Sequence, residues 1–310
     1  MIHTLTIQTQ LTKEEVFFLQ DKYGTKDLTT ICNLIDSKHN GFTSFIKLYN
    51  YNITRLFITI DLIKILNTSN IEEKHYSWVE VIVNNYLAHF NLILDYFILN
   101  RIDYRLDIKI NDKLKRQQLF IFYNNTLKKY KFFKKHKLFN SSVLYENNSM
   151  QIIIYDKEQE RRECGQIIKG YEKDTIRIEV RLLNKHLTKN KSRYNIPKTI
   201  KDYFKQDLYI KYLSKYLYPI FYKGDYYKLG KAKQIIEKST LKDKDKIFLI
   251  KFLNTNTKYG ITESKERFSY YKFTKALNQL ELLNINPILI ESNRNLPNLI
   301  ENPIKNIPIK

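Results

Sequence analysis

Two segments of this chain, RIDYRLD at 101–107 and RIEVRL at 177–182, alternate apolar and charged residues with a period of two, and only an extended strand can use that pattern. On a strand, successive side chains point to opposite faces. Ile102, Tyr104, Leu106 and Ile108 therefore share one side, with Arg101, Asp103, Arg105 and Asp107 on the other. Ile176, Ile178, Val180 and Leu182 repeat the apolar side and leave Arg177, Glu179 and Arg181 opposite. A third segment, YDKEQE at 155–160, brings Glu160 just beyond the strand that carries Tyr155. If these strands are neighbours with faces aligned, Asp103, Asp107, Glu160 and Glu179 gather in one acidic patch flanked by arginines. Hard oxygen donors of this kind suit Mg or Mn. The same alternation is also what cross-strand ion pairs on the wet face of an antiparallel sheet look like.

The charge of the chain narrows its partners. Lys and Arg number 53 against 32 Asp and Glu, so the net charge of +21 draws in a polyanion, with nucleic acid first among the candidates. Richness in Lys, Asn, Ile and Tyr is also what AT-rich coding bias produces, so part of this charge has a second explanation. The 24 tyrosines and 18 phenylalanines, set among lysines, supply faces for stacking on unpaired bases, although any single ring is more commonly core. Two cysteines, Cys32 and Cys164, without paired spacing, indicate a reduced, cytoplasmic protein. The six histidines are scattered with no His-x-His pair, which speaks against a histidine-ligated metal. There is no phosphate-binding Walker loop and no GxGxxG.

MIHTLTIQTQ at the start alternates like a strand and lacks the order of a signal peptide. The most apolar stretch, YLAHFNLILDYFILN at 86–100, is interrupted by His89, Asn91 and Asp95, so no spanning helix and no membrane are expected. The pattern predicts a strand at 2–9, a helix over 12–22, and strands at 42–50 and 54–61 turning at Tyr51 and Asn52. A helix over 75–97 follows, with Trp78, Val81, Ile82, Tyr86, Phe90 and Leu94 as its apolar stripe, then a helix over 112–130. SSVLYENNSMQIIIY reads as a hairpin turning at Asn147, Asn148 and Ser149. After Pro197 the pattern is helical, at 197–217, 229–238, 240–253, 262–268 and 269–284. The fold class is α+β, a mostly antiparallel sheet with helices packed on one face, followed by a smaller all-helical domain. The expected domains are 1–200 for catalysis, 201–286 for DNA binding with a helix-turn-helix-like end, and 287–310 as an extended or disordered tail.

Two stretches are candidates for DNA contact. LKKYKFFKKHK at 127–137 interleaves rings with Lys128, Lys129, Lys131, Lys134 and Lys135. The last helix presents Tyr270, Tyr271, Lys272 and Lys275 beside an apolar stripe of Phe273, Ala276, Leu277, Leu280 and Leu283. A solvated helix end and an ordinary helical pair account for the same patterns.

In this order and spacing, RIDYRLD, YDKEQE with Arg161 and Arg162, and RIEVRL resemble the signature blocks of rolling-circle replication initiators. They are similar to the plasmid initiators that lack the histidine pair and to the gene II type initiators of filamentous phages. YGITESKERFSYYKFTKALNQLELLNI resembles the C-terminal block of the latter, with Asn284 where a glycine is usual. The resemblance covers about residues 95–285. It implies an endonuclease and strand transferase that nicks one strand at an origin and stays attached through a phosphotyrosine on the 5′ side. In that scheme Asp103, Asp107, Glu160 and Glu179 hold Mg or Mn, and Lys157, Arg177 and Arg181 balance charge on the phosphoryl oxygens. The plasmid relatives point to Tyr194 as nucleophile, the phage relatives to Tyr155, and Tyr203 is a weaker third.

The partner would be origin DNA, single- and double-stranded, with helicase and polymerase supplied by the host, and a homodimer is compatible with the reading. A conjugative relaxase would use the same chemistry. A non-catalytic DNA-binding protein, such as a repressor or partition factor, would use the basic face alone, and an RNA-binding protein would prefer RNA hairpins.

Overall fold

The computed structural model describes residues 1–49, 53–136, 141–291 and 295–307. Its strands are β1 (Ile2–Leu11), β2 (Phe42–Tyr49), β3 (Ile53–Asp61), β4 (Ile98–Lys109), β5 (Lys129–Tyr130), β6 (Phe133–His136), β7 (Ser142–Asn147), β8 (Met150–Asp156), β9 (Thr175–Leu183), β10 (Tyr226–Tyr227) and β11 (Leu299–Ile300). The helices are α1 (Lys13–Tyr23), α2 (Leu28–Asp36), α3 (Leu62–Leu66), α4 (Tyr76–Leu87), α5 (Lys113–Asn124), α6 (Lys157–Glu163), α7 (Asn184–Tyr194), α8 (Ile200–Tyr203), α9 (Gln206–Phe221), α10 (Leu229–Lys238), α11 (Asp243–Arg267) and α12 (Tyr270–Leu282). Nine strands hydrogen-bond in the order β2-β3-β1-β4-β9-β8-β7-β6-β5, and the chain is α+β with a mostly antiparallel sheet. Among the described residues, no helix is long and apolar enough to cross a membrane.

The chain packs as two compact units. One takes Met1–Leu106, Asn148–Gln151 and Glu179–Tyr212; the other takes Asp107–Asn147, Ile152–Ile178 and Leu213–Lys310. Each draws on separated segments, a partition different in kind from the linear division at 200.

In the first unit β1 runs antiparallel between β3 and β4. Its apolar face buries Leu5 and Ile7 with Leu56, Ile58 and Ile60 of β3 and Leu99, Ile102 and Tyr104 of β4. Two register shifts interrupt the β1/β4 ladder, one between Ile2 and Thr4 and one between Thr6 and Ile7. The first inserts His3 as an extra residue opposite Asp103, and such bulges turn a side chain out of the regular alternation. Thr12 closes a capping box with Glu15, which starts α1 where the sequence indicates.

The helix expected over 75–97 ends at Leu87 and continues as two 3-10 turns, Ala88–Phe90 and Leu94–Tyr96. Its buried face is Val79, Val83, Tyr86 and Leu87. Trp78 and Val81, expected in the apolar stripe, are exposed. The phase is set by Tyr86, which stacks on Phe42 at 4.0 Å and donates its hydroxyl to Asp36 at 2.6 Å. The expected turn at Tyr51 and Asn52 lies outside the described residues.

In the second unit the helix expected over 112–130 stops at Asn124, and the lysine-rich stretch after it forms the β5/β6 hairpin. The β7/β8 hairpin turns where SSVLYENNSMQIIIY indicates, and YDKEQE leaves the sheet as α6, capped by Asp156 through Gln159 N at 3.0 Å. The helices expected at 240–253 and 262–268 form the single span α11, broken at Gly260, whose φ of 80° is left-handed.

The 287–310 segment, expected to be extended or disordered, is folded over its described part. Ile288, Ile290, Ile300, Ile304 and Ile307 are buried, and β11 pairs with β10. The anchor is Asp225, which accepts hydrogen bonds from Asn302 N at 2.8 Å and from Lys305 Nζ at 2.8 Å. Irregular backbone tied to a buried carboxylate leaves no periodic signal in the sequence, which is why the segment reads as a tail.

Gly224 lies against this anchor, and a Cβ there would sit 2.2 Å from the Ile285 carbonyl carbon and 2.4 Å from Asn286 N. These atoms belong to one backbone peptide, which has no rotamer to relieve the clash. Gly224→Ala is expected to cost about 3 kcal/mol, read as a lowered urea midpoint, while Gly24→Ala, with open space around it, loses only the cost of its positive φ.

Candidate functional site

The expected acidic patch is built as two clusters, one in each compact unit. In the first unit Asp103 and Glu179 are both buried to 1% exposure. Arg101 donates to Asp103 through Nε at 2.8 Å and through Nη2. Arg181 donates to Glu179 through Nη2 at 2.7 Å and lies 3.4 Å from Asp103, so one guanidinium spans both carboxylates. His3 Nδ1 approaches Glu179 at 3.4 Å, carried there by the β1 bulge. The face expected to be open is thus closed over its carboxylates, because each strand supplies an arginine two residues from its own acid.

In the second unit Arg177, fully buried, forms a two-pronged pair with Asp107 at 2.8 and 2.9 Å. Lys157 holds Glu160 at 2.7 Å and lies 5.6 Å from the centre of the Tyr155 ring. Burial lowers the Lys157 pKa, and Arg177 and Arg161 push it the same way against the hydrogen bond that Lys157 donates to Glu160. The Lys157 ammonium is therefore the cation set beside Tyr155, with the charge of Arg177 and Arg161 opposing it. Arg161 is in turn held by Glu172, with Nη2 at 2.7 Å and Nε at 3.1 Å from its oxygens. Tyr155 packs with Leu144 and Ile153 on its side of β8.

Sequence reasoning thus finds Asp103 with Glu179, and Asp107 with Arg177, but assigns no role to His3 or Glu172. His3 depends on a bulge that alternation does not reveal. Glu172 lies in irregular chain at 170–174, where no periodicity marks it. Beside these, Arg116 gathers Asp156 at 3.2 Å, Glu158 at 3.5 Å and Asp174 at 2.7 Å.

The three candidate tyrosines have unlike surroundings. Tyr203 is fully buried, its hydroxyl accepts a hydrogen bond from Asn190 Nδ2 at 2.9 Å, and burial pushes its pKa up to about 12. Tyr194 is exposed at the end of α7, with Lys211 over its ring. That helix is fastened through Asn190 to Tyr203 and Tyr212, and Tyr212 stacks on Tyr104. Tyr104 and Asp103 are successive strand residues, so α7 belongs to the face opposite Asp103. Tyr155 is the candidate that shares its surroundings with Lys157.

Of the expected DNA contacts, Lys128, Lys129, Lys131 and Lys134 are exposed around the β5/β6 hairpin, with Phe132 bare at its tip. Lys129 stands directly opposite Lys134, a like-charge pair that repels until an anion lies across it. Lys135 differs: its ammonium donates to the carbonyls of Asn124 at 2.7 Å and Tyr123 at 3.1 Å, closing the C-terminal end of α5. Burial lowers its pKa to about 8. On α12, Tyr270, Tyr271 and Lys272 are exposed, whereas Lys275 is held by Asp245 at 2.6 Å.

Hard oxygen donors are present, but each has a guanidinium or ammonium group beside it, and Glu179 the His3 imidazole as well. Among the described residues, no group of three or more His, Cys, Asp or Glu is arranged to hold a metal ion. No protein-family model matches the chain, and no curated protein matches it.

Glu172 gives the cluster a testable acid response. Burial raises its pKa and the Arg161 hydrogen bonds lower it, with the net shift downward. A carboxylate with a depressed folded pKa contributes stability that is complete above its unfolded value near 4.3 and is lost as pH falls through the folded value. Glu172→Gln is therefore expected to lose roughly 2–3 kcal/mol at pH 7, and urea unfolding at pH 7 and at pH 3 should show that gap closing in acid.

Proposed function

We propose that this protein is a replication initiator of a small plasmid or phage that nicks and rejoins one DNA strand through a phosphotyrosine, with Tyr155 as the nucleophile. The observation that carries the reading is the contact of the Lys157 ammonium with the Tyr155 ring, with Lys157 itself held by Glu160. A phosphodiester passing through its transition state spreads negative charge over its oxygens, and cations fixed beforehand stabilise that charge without reorganising. Tyr155 Oη forms the bond to phosphorus, the bond from phosphorus to the 3′ oxygen breaks, and the tyrosine proton ends on the released 3′ hydroxyl. The strand stays attached by its 5′ phosphate, and the free 3′ end serves a host polymerase.

Lys157 and Arg177 balance the phosphoryl charge, Asp107 and Glu160 hold those two cations in place, and Asp103 with Glu179 form a separate buried pair. The carboxylates that the family resemblance would give to Mg or Mn are each paired with a cation, and the chain's own cations balance the phosphoryl charge. The exposed lysines of the β5/β6 hairpin, with Phe132 at the tip, supply the salt-dependent grip on DNA.

A second reading, a DNA-binding protein without nicking activity, is favoured by one observation: Asp103, Asp107, Glu160 and Glu179 each already have a cationic partner within 3.4 Å. The two part on a supercoiled plasmid carrying the protein's own gene and flanking sequence, incubated in MnCl₂. Tyr155→Phe should abolish nicking, at least a thousandfold, with DNA affinity kept, while Tyr194→Phe should nick like the parent chain. Equal nicking by both variants would remove Tyr155 from the reaction, and no nicking by the parent chain would leave the binding reading.

A further inference from the structure

The β5/β6 hairpin closes on a two-residue turn, Lys131 and Phe132, and Phe132 is 87% exposed there. Turns of this length favour Asn and Gly, which take up a left-handed backbone at least cost. Lys131 holds that backbone instead, at φ 51°. Turn formation therefore selects neither residue at the tip. Behind the tip the hairpin is fixed. Tyr130 faces Phe133 across the strands, and Phe133 is buried with its ring edge-on to Tyr216 at 6.0 Å. Lys128 N donates to Thr262 Oγ1 at 3.2 Å, Lys135 N donates to Lys128 O at 3.2 Å, and the Lys135 ammonium closes the end of α5. A bare ring thus projects from a braced base, so little freedom is lost when it meets a partner.

The outer side of the hairpin carries charge. The alternation that turns Phe133 inward turns Lys134 outward, directly opposite Lys129. Lys128, Lys129, Lys131 and Lys134 are exposed and form no ion pair among the described residues. No Asp or Glu occurs in 127–137, and Glu146, the neighbour of Lys134 on β7, lies 3.7 Å from His136. One ring among uncompensated cations suits a partner that is anionic outside and apolar within. Duplex DNA is such a partner, with phosphates outermost and stacked bases between them. A lipid surface is held by a wider apolar face than one ring.

We infer that the hairpin is a wedge for duplex DNA: Lys129, Lys131 and Lys134 lie on phosphates while Phe132 enters the base stack where duplex meets single strand and unstacks the last pair. Apolar side chains that enter base steps in this way offset the unstacking with phosphate contacts around them. A junction costs least, because its terminal pair is stacked on one side only. β6 lies two strands from β8 in one sheet, so the wedge and Tyr155 belong to the same compact unit. The inference rests on the DNA-binding part of the proposed function and not on nicking.

The experiment uses the full chain and a forked duplex carrying 2-aminopurine, which brightens on unstacking, at the terminal pair. Brightness is read with the fork saturated by protein, so that affinity and unstacking are separated. The parent chain should brighten the fork. Phe132→Ala, which removes an exposed ring, should keep the melting temperature yet lower that gain about fivefold, and Phe132→Leu should restore most of it. Lys129→Ala with Lys134→Ala should weaken fork binding about tenfold and flatten its salt dependence. A fork that Phe132→Ala brightens like the parent, or that the parent binds without brightening, would overturn the inference and leave the proposed function standing. Binding of phosphatidylserine vesicles that falls with Phe132→Ala, beside unchanged brightening, would overturn it by assigning the tip to a membrane. Failure of the parent chain to bind the fork at all would overturn it together with the proposed function.

Discussion

A guanidinium removed from water must find a carboxylate, since an unpaired buried ion costs several kcal/mol. Arg177 is fully buried on β9, and its planar fork meets Asp107 on β4 with two parallel bonds. That geometry fixes both the spacing and the direction of the two side chains, as a flexible ammonium would not. Buried pairs of this kind add little net stability compared with apolar packing, but breaking one is expensive, so they specify an arrangement more than they strengthen it. The same logic recurs in Arg161 with Glu172 and in Arg181 across Glu179 and Asp103.

Legibility in the sequence follows from how local the cause is. Strands β4 and β9 were evident because alternation is a local consequence of pleating, and β1 and α1 because Thr12 and Glu15 announce a helix start. The phase of α4 was not legible, since it depends on Tyr86 finding Asp36 fifty residues earlier in the chain. The fate of Lys135 was equally hidden: a lysine among lysines looks solvated until the open carbonyls of α5 are brought beside it. The folded C-terminal segment depends on Asp225, far away in sequence, and so left no pattern.

The candidate site shows the same division. Identities of the charged residues could be read from strand parity, because Asp103 and Glu179 each have an arginine two positions away. What parity could not supply is their distribution. The four carboxylates separate into two clusters, and the tyrosine beside the Lys157 ammonium is Tyr155, whereas the exposed Tyr194 is fastened to the opposite face of its own unit. A tyrosine hydroxyl is a weak nucleophile at its ordinary pKa near 10, so its surroundings matter more than its exposure.

The most direct test of this account is the chemical identity of the residue that holds the DNA. Adduct formed on the protein's own origin sequence would be digested with nuclease and protease and mapped by mass spectrometry. The account predicts a nucleotide mass on the peptide containing Tyr155 and on no other tyrosine. An adduct on the peptide containing Tyr194, or nicked DNA with no covalent adduct, would contradict it.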